Sequence, residues 1–356
     1  MIPAMPDSNG VVRPSRHDSA VGMVVRHWRR LTGGPERRDQ DRRTLIACSG
    51  GADSSAMTLC LAAATDRVVV AHVVHDLRPR TESLADRARA RDLAAGLGLP
   101  FAEAHVRVAE LPGNDEANAR RLRYDALERM AFEQGCPYVA TAHHAEDQLE
   151  TMLMGLVRGT GLSGLAGVRP RRPVGERGIQ VVRPMLRLAR VESERICREC
   201  GWAWAEDPTN RDVSRLRAAL RAGPVKELLR IRPATCDHAV NVAEFVREAA
   251  ALVEDAVAHE WPSATVVERA GRVVAYSFDR ERLRGLRWIV VGSLLRSAYA
   301  RLRDGRGLDR LRARSVRAAA LAVRHADDAP EFQWQGARVL VGRDRVEVRL
   351  EDSKDG

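Results

Sequence analysis

The chain has 356 residues, 45% hydrophobic and 30% charged, with a formal net charge of +10 at pH 7. This length and apolar content predict a folded protein of two or three domains and exclude a wholly disordered chain. The excess of 58 Lys and Arg over 48 Asp and Glu favours a polyanionic partner such as RNA, or else a solvated basic surface.

Targeting and redox features indicate the compartment. No stretch approaches the roughly 20 apolar residues needed to cross a bilayer, and the first 18 residues contain no apolar run of a signal peptide. Six cysteines scattered through a large chain fit reduced thiols better than a disulfide framework. We therefore expect a cytoplasmic protein without a membrane partner.

The first predicted strand follows a basic N-terminal segment. Residues 1–43 are rich in Arg, Asp, Gly and Pro, which predicts a largely mobile extension with one short helix over Val21–Leu31. An apolar run at 45–48 then stops at a pair of glycines, and residues 54–64 have a helical pattern. The order is strand, glycine turn, helix.

The next segments alternate between apolar runs and charged helical stretches. The runs at 68–74, 101–106 and 138–141 are predicted strands, and the stretches at 81–97 and 115–134 are predicted helices. This alternation predicts an α/β fold with a doubly wound parallel sheet, whose ligands bind at the carboxyl ends of the strands.

Beyond Arg183 the pattern is mostly helical. Four helices are predicted, over residues 190–200, 214–229, 237–259 and 280–302. The polar, proline-containing segment Arg230–Cys236 is the predicted domain linker, and the alternating pattern of Glu331–Leu350 predicts a small terminal hairpin.

These patterns divide the chain into three parts. We predict a basic extension over residues 1–43, an α/β nucleotide-binding domain over 44–225, and a mainly helical domain over 236–356.

The glycine turn has the sequence Ser49-Gly50-Gly51-Ala52-Asp53-Ser54. Backbone N–H groups freed by the glycines, the serine hydroxyls and the helix N-terminus converge there, as a pyrophosphate site requires. Asp53 alone would repel phosphate and is better used to hold Mg²⁺, which bridges a carboxylate to phosphate. The lysine of a Walker-type loop is absent. An ordinary glycine turn capped by Ser49 and Asp53 is the alternative.

A second polar cluster, His143 to Thr151, follows the strand predicted at 138–141, so both motifs reach the same edge of the sheet. So many ionisable groups at a strand end are costly unless they bind something. A zinc site at His143, His144 and Glu146 is one alternative, although adjacent histidines lack the one-turn spacing of a metalloprotease helix. An acidic first helical turn is another.

Several motifs, taken in order, resemble those of bacterial tRNA(Ile)-lysidine synthetases, members of the PP-loop superfamily of ATP pyrophosphatases. The resemblance runs from about Thr44 to the C-terminus. The phosphate loop alone identifies the superfamily, and the later motifs identify the lysidine branch. The later motifs are Glu116-Ala117-x-Ala119-Arg120-x-x-Arg123-Tyr124, His143-His144-x-x-Asp147-Gln148-x-Glu150-Thr151, Arg158-Gly159-Thr160-Gly161, Arg183-Pro184-Met185-Leu186 with Arg190, and Glu206 to Asn210.

This resemblance implies an adenine nucleotide alpha hydrolase-like fold and a defined reaction. Such enzymes use ATP to adenylate the oxygen on carbon 2 of the cytidine at the first anticodon position of tRNA(Ile) with a CAU anticodon, and they release pyrophosphate. The side-chain amine of lysine then displaces AMP, which gives lysidine. The implied substrates are ATP, L-lysine and that tRNA, with Mg²⁺ as the metal.

The family also implies roles for the phosphate-binding side of the site. The loop Ser49 to Ser54, Ala52 included, would bind ATP, and Asp53 would hold Mg²⁺. Arg120 and Arg123 would neutralise charge that develops on the phosphates. For these two arginines a solvated basic helix face is the alternative.

The remaining implied roles concern lysine and tRNA. Asp147 and Glu150 would bind the ammonium groups of lysine, because a cationic substrate needs carboxylates. His143 is expected in catalysis, and both it and His144 could position phosphate or move a proton near pH 7. Besides His144, the predicted phosphate or tRNA contacts are Arg158 and Arg183.

The chain departs from the family pattern in three places. Glu146 stands where the family has an Asp. Arg215, Arg217 and Ala218 stand where the family has Tyr and then Arg-Asn. The additional C-terminal tRNA-binding domain of longer relatives is expected to be missing. The sequence leaves the oligomeric state open, a homodimer included.

Two other functions compete with lysidine synthesis. A tRNA thiolase of the same superfamily would use a cysteine-held cluster or persulfide, for which Cys197 and Cys200 are the closest pair. A non-catalytic RNA-binding relative would explain the positive charge through phosphate contacts alone, but it would leave the two polar motifs without a role.

Overall fold

The computed structural model describes residues 10–77, 79–205, 216–308, 311–325 and 329–351. These residues form two compact units. The first comprises the described residues up to Met152 together with Gly167–Asn241, and the second comprises Leu153–Ala166 and the described residues from Val242 onward. Within the described ranges, no helix has the length and apolar character that a bilayer crossing demands.

The first unit is built on a six-stranded sheet. Its strands are β1 (Thr44–Ala47), β2 (Val68–His75), β3 (Phe101–Val106), β4 (Tyr138–Ala140), β5 (Arg171–Pro173) and β6 (Gln180–Val182). They lie in the order β3-β2-β1-β4-β6-β5, and every pairing is parallel except that of the edge strand β5 with β6. The order changes direction at β1, which confirms the predicted doubly wound α/β fold.

Ten helices are described up to residue 260. They are α1 (Ser19–Leu31), α2 (Ala52–Ala64), α3 (Arg80–Gly96), α4 (Asp115–Glu133), α5 (Ala145–Arg158), α6 (Leu162–Leu165), α7 (Arg190–Glu199), α8 (Leu216–Ala222), α9 (Pro224–Ile231) and α10 (Thr235–Glu260). In α2 every residue except Asp53 is buried. A helix that is buried on all sides belongs to the interior. The partly exposed carboxylate of Asp53 therefore marks the place where this helix reaches solvent.

The N-terminal segment is part of the first core. Helix α1 buries Val21, Val24, Val25 and Trp28, a spacing of one helical face, in the same cluster as α2. The indole N–H of Trp28 donates to Thr44 Oγ1 at 3.1 Å. The expectation of a largely mobile extension is therefore wrong for this segment, because its apolar stripe outweighs its basic composition.

Trp28→Ala is expected to lower the free energy of unfolding by about 3–5 kcal/mol, because it empties a fully buried aromatic site. Urea unfolding of the full chain measures this loss. The matched control is Arg30→Ala on the exposed face of the same helix, which should stay within about 0.5 kcal/mol of the wild type. A loss below about 1 kcal/mol at Trp28 would show that α1 is not part of the core.

The second unit combines helices with an antiparallel sheet. Its further helices are α11 (Arg280–Arg284), α12 (Trp288–Leu302) and α13 (Ala313–His325), and its strands are β7 (Thr265–Arg269), β8 (Arg272–Asp279), β9 (Glu331–Trp334), β10 (Ala337–Val341) and β11 (Arg345–Leu350). The sheet order is β7-β8-β11-β10-β9. One face is covered by α12, whose Tyr299 packs edge-on against Trp334 at 5.6 Å.

Helices predominate in this unit as predicted, but the predicted terminal hairpin is one part of a larger sheet. The hairpin β7–β8 was missed because its turn, Ala270-Gly271, lacks the Asn-Gly or Asp-Gly signal. Both residues have positive φ, 51° and 74°, as the tight turns of two-residue hairpins require.

The boundary between the units also differs from the prediction at residues 225 and 236. It falls between Asn241 and Val242 inside the continuous helix α10. Residues Leu153–Ala166 also belong to the second unit, although the chain on either side of them belongs to the first. A boundary inside a helix has no proline or glycine composition to mark it in the sequence.

Candidate functional site

The turn between β1 and α2 forms a loop with an open helix end. No side chain caps the N-terminus of α2, whose N-cap residue is Gly51. Ser54 Oγ accepts from the backbone N–H of Ser49 at 3.0 Å and donates to the carbonyl of Gly51 at 3.1 Å. Gly50 has a φ of +87°, and a Cβ there would stand 3.0 Å from the backbone oxygen of Asp86. The loop therefore needs glycine and presents its N–H groups to an anion.

Asp53 has an unsatisfied carboxylate oxygen beside this loop. Its side chain is 27% exposed, yet Oδ1 is buried and has no hydrogen-bond partner, while Oδ2 lies 3.7 Å from His144 Nε2. An orphaned carboxylate oxygen at a phosphate loop fits one ligand position of Mg²⁺. Among the described residues no three His, Cys, Asp or Glu side chains form a metal site, so phosphate and water would supply the other ligands. The zinc alternative has no support for the same reason.

A cavity of about 870 Å³ lies in the first unit, at the carboxyl ends of β1, β2 and β4. It brings both polar motifs together. The predicted site residues that line it are Ser49, Gly51, Asp53, Ser54, Arg120, Arg123, His143 and Asp147.

Other predicted site residues do not line the cavity. Gly50, Ala52, His144 and Glu150 are buried behind its surface. Arg158 is exposed and belongs to the second unit, and its phosphate or tRNA contact stays a prediction.

His144 is surrounded by three carboxylates. Its Nδ1 bonds Glu146 Oε2 at 2.9 Å, and its Nε2 lies 3.6 Å from Asp147 and 3.7 Å from Asp53. Burial by itself lowers the pKa of His144, but the carboxylates outweigh burial and raise the pKa to about 9. Glu146 also accepts the backbone N–H of Arg190 at the start of α7. Glu146, which is longer than the Asp of the family pattern, thus binds the first N–H of α7 and also holds the imidazolium of His144 in place.

His143 has the opposite electrostatic environment. Its Nδ1 bonds Thr141 Oγ1 at 3.0 Å, and burial, reinforced by nearby guanidinium groups, lowers its pKa to about 3. At pH 7 His143 is therefore neutral and His144 is charged. The expectation that these histidines titrate near pH 7 is wrong for this arrangement, because their neighbours move the two pKa values in opposite directions.

The pKa of His144 predicts a pH-dependent stability in buffer without Mg²⁺. Its folded pKa is raised above the unfolded value of 6.5, so its contribution is complete below pH 6.5 and is lost as pH rises through 9. Wild type should lose roughly 3 kcal/mol of unfolding free energy over that window relative to His144→Gln. Urea titrations at pH 6, 7.5 and 9 measure this difference. Parallel curves for the two proteins would contradict the assigned charge.

One wall of the cavity is strongly positive. The guanidinium carbons of Arg120 and Arg123, which line the cavity, lie 5.2 and 5.7 Å from the ring centroid of Tyr124, and that of Arg172, which does not line it, lies 4.4 Å away. Burial alone would raise the pKa of Tyr124, but Arg183 and the cations on its own helix lower it. Arg183 is buried behind this wall. Arg172 was not predicted, although the pair Arg171-Arg172 is visible in the sequence.

The site residues predicted from the sequence did not include Arg217 and Arg221. Both contact the carboxylates of Asp147 and Glu150, here called the acidic pair. Arg217 Nη2 contacts Asp147 Oδ1 at 2.5 Å, and Arg217 Nε contacts Glu150 Oε2 at 2.7 Å. Arg221 Nε contacts Glu150 Oε1 at 2.6 Å. In this state both carboxylates are paired with arginines, and their role in lysine binding stays a prediction. Residues Glu206 to Asn210 and Arg215 lie outside the described residues.

The cysteine pair does not favour the thiolase alternative. Cys197 and Cys200 are buried in the first core, and the Cys197 thiol donates to the Ala52 carbonyl at 3.4 Å. Burial raises the pKa of Cys197 and raises that of Cys200 to about 11, and among the described residues no third His, Cys, Asp or Glu completes a metal site with them.

Comparison with known proteins identifies relatives of this chain. The PP-loop domain family matches residues 25–228. A tRNA(Ile)-lysidine synthase of Ralstonia nicotianae is 34% identical over 83% of this chain and 62% of its own length. Those of Deinococcus deserti and Salinispora arenicola are 43% and 39% identical over 51% and 60% of the chain. These matches confirm the predicted resemblance.

The chain spans less than two thirds of these relatives' own length, 62%, 33% and 65% respectively. Among solved structures, the U34-tRNA thiolase NcsA from Methanococcus maripaludis has a TM-score of 0.52 at 15% identity, covering 64% of this chain and 79% of its own. That likeness concerns the fold alone.

Proposed function

Because the chain belongs to the PP-loop domain family, we propose that it uses ATP to form lysidine on tRNA(Ile) with a CAU anticodon. The observation that carries the proposal is one cavity that holds an uncapped phosphate loop, an unpartnered Asp53 oxygen and a wall of arginines. The names of the relatives supply the substrate class.

In the first step, oxygen 2 of the cytidine attacks the α-phosphorus of ATP. The bond between the α-phosphorus and the bridging oxygen breaks, and pyrophosphate leaves. The N–H groups of the loop bind the departing phosphates, and Arg120 and Arg123 stabilise charge on the pentavalent phosphorus. Asp53 would hold Mg²⁺, which would offset the negative charge of the phosphates.

In the second step, the neutral side-chain amine of lysine attacks carbon 2. The bond from carbon 2 to the adenylated oxygen breaks, AMP leaves with that oxygen, and the amine loses a proton to solvent. His143 is neutral at pH 7, and in the tautomer in which its Nδ1–H donates to Thr141 Oγ1, its Nε2 can accept a hydrogen bond from the amine and orient it. Asp147 and Glu150 attract the cationic part of lysine.

The RNA substrate suits the charge of the chain. A net charge of +10 favours contact with phosphates, and a cytidine turned out of the anticodon stack can enter a cavity that a paired base cannot. We infer that the second unit contributes to tRNA binding.

The test is incorporation of labelled lysine into unmodified tRNA(Ile) with a CAU anticodon, in the presence of ATP and Mg²⁺. We expect one lysine, one AMP and one pyrophosphate per modified tRNA, and no labelling of methionine tRNA with the same anticodon. AMP formation without lysine transfer would contradict the assigned second substrate. Absence of ATP turnover would contradict the proposed enzymatic function and favour a non-catalytic RNA-binding protein.

A further inference from the structure

Helix α8 supplies two internal cations to the acidic pair. Arg217 and Arg221 stand four residues apart on this helix, so they project from the same face. Glu150 receives a guanidinium nitrogen on each carboxylate oxygen, at 2.7 and 2.6 Å, and Asp147 receives one at 2.5 Å. Two carboxylates and two guanidinium groups thus pair with one another, and His144 lies 3.6 Å from Asp147 as a further cation.

The arginines cover Glu150 from the cavity side, whereas Asp147 itself lines the cavity. The side chains of Glu150 and Asp147 are 1% and 11% exposed, whereas those of Arg217 and Arg221 are 37% and 30% exposed and both line the cavity. A ligand that approaches Glu150 from the cavity therefore meets guanidinium groups first. An ammonium group cannot reach Glu150 until at least one arginine moves.

A second anion in the cavity would favour movement of the arginines. The buried Glu150 carboxylate is strongly destabilised without a cation, so another cation must replace the guanidinium groups when they leave. The same cavity holds the phosphate loop of Ser49, Gly51 and Ser54. The carboxylate of Asp53, beside that loop, already contributes to the raised pKa of Arg221, after its closer partners Glu150 and Asp147. Arg221 is thus within electrostatic reach of bound phosphates.

We infer that Arg217 and Arg221 exchange partners on nucleotide binding: the phosphates of ATP attract the guanidinium groups, and the ammonium group of lysine then occupies the released acidic pair. This inference rests on the proposed function. It makes the two arginines positioning residues that couple the binding of the two substrates.

The exchange has a thermodynamic consequence that can be measured without tRNA. If the nucleotide raises the affinity for lysine, lysine must raise the affinity for the nucleotide by the same factor. We expect a factor of about 10, in the middle of the usual range for coupled sites. A site that is simply acidic and open would bind lysine equally with and without nucleotide.

The experiment is equilibrium dialysis of labelled lysine against the full chain, with and without the α,β-methylene analogue of ATP and Mg²⁺. In wild type the analogue should lower the Kd for lysine about 10-fold. In Arg217→Gln, lysine should bind more tightly without nucleotide, and the analogue should change the Kd by less than about threefold. Glu150 keeps Arg221 in this variant, so the fold retains one of its ion pairs.

Two further variants separate the exchange from a general effect of charge. Arg230→Gln removes an exposed guanidinium that pairs with Glu227 on α9, and it should keep the full coupling of wild type. Arg217→Lys keeps a cation but not the two-pronged contact, and its coupling should fall between the others. This variant serves if Arg217→Gln does not fold.

The outcomes distinguish this inference from the proposed function. A wild-type protein that makes lysidine but binds lysine equally in both conditions overturns the exchange and leaves the function intact. Full coupling in both Arg217 variants overturns the exchange as well. If lysine binds in neither condition, the exchange is overturned, and incorporation of lysine into tRNA decides the proposed function separately.

Discussion

Replacing Asp53 by Asn should lower the rate of AMP and pyrophosphate formation by about three orders of magnitude and leave tRNA affinity within about twofold. Its Oδ1 is buried, has no hydrogen-bond partner and stands beside the phosphate loop. The amide keeps the shape of the side chain but removes the charge that holds Mg²⁺ against the phosphates. ATP-to-AMP turnover and filter binding of tRNA, on the same preparations, measure the two quantities.

The matched control for this substitution is Asp66→Asn. Asp66 belongs to the same unit, pairs with Arg13 at 2.6 Å and has a mostly exposed side chain away from the cavity. Turnover by this variant should equal that of wild type. An equal loss of turnover and tRNA binding in Asp53→Asn would instead show that Asp53 holds the fold of the site and takes no part in the chemistry.

Glu150→Ala should lower the free energy of unfolding by about 3 kcal/mol or more. The substitution leaves Arg217 and Arg221 without their shared carboxylate and opens space at a fully buried position. Removing a fully buried partner is more destabilising than removing an exposed one, because the partly buried guanidinium groups lose contacts that water screens little and because the substitution leaves a cavity. Urea unfolding followed by circular dichroism gives the value.

Glu227→Ala is the corresponding exposed substitution. Glu227 pairs with Arg230 at 2.6 Å, but both side chains face solvent, so the unfolding midpoint should not move measurably. Wild-type stability in Glu150→Ala would mean that the guanidinium groups are not held by this carboxylate. The proposed exchange of partners would then lose its starting state.

The sequence was sufficient for features whose signal lies within a few neighbouring residues. An apolar run, two glycines and a helical stretch predict the phosphate loop, because only glycine permits the backbone of position 50 and only a helix start offers free N–H groups. The alternation of strands and helices predicts the parallel sheet, and the sheet brings the Asp53 loop and the His143 motif to one edge.

The sequence misled where composition and periodicity disagreed. The basic composition of residues 1–43 suggested mobility, while the apolar stripe of α1 indicated a buried helix, and burial of Trp28 decided the outcome. In the second unit, the turn at Ala270 lacks a strong signal, so two strands of the larger sheet went unrecognised.

By itself, then, the sequence determined the fold class, the phosphate loop and the family, since these depend on local spacing and on the order of motifs. Only the tertiary structure decided the charge state of the two histidines and the pairing of the acidic residues. Arg217 and Asp147 are 70 residues apart along the chain, yet their side chains are 2.5 Å apart. A pKa or an ion pair depends on distance and burial in space, which spacing along the chain does not encode.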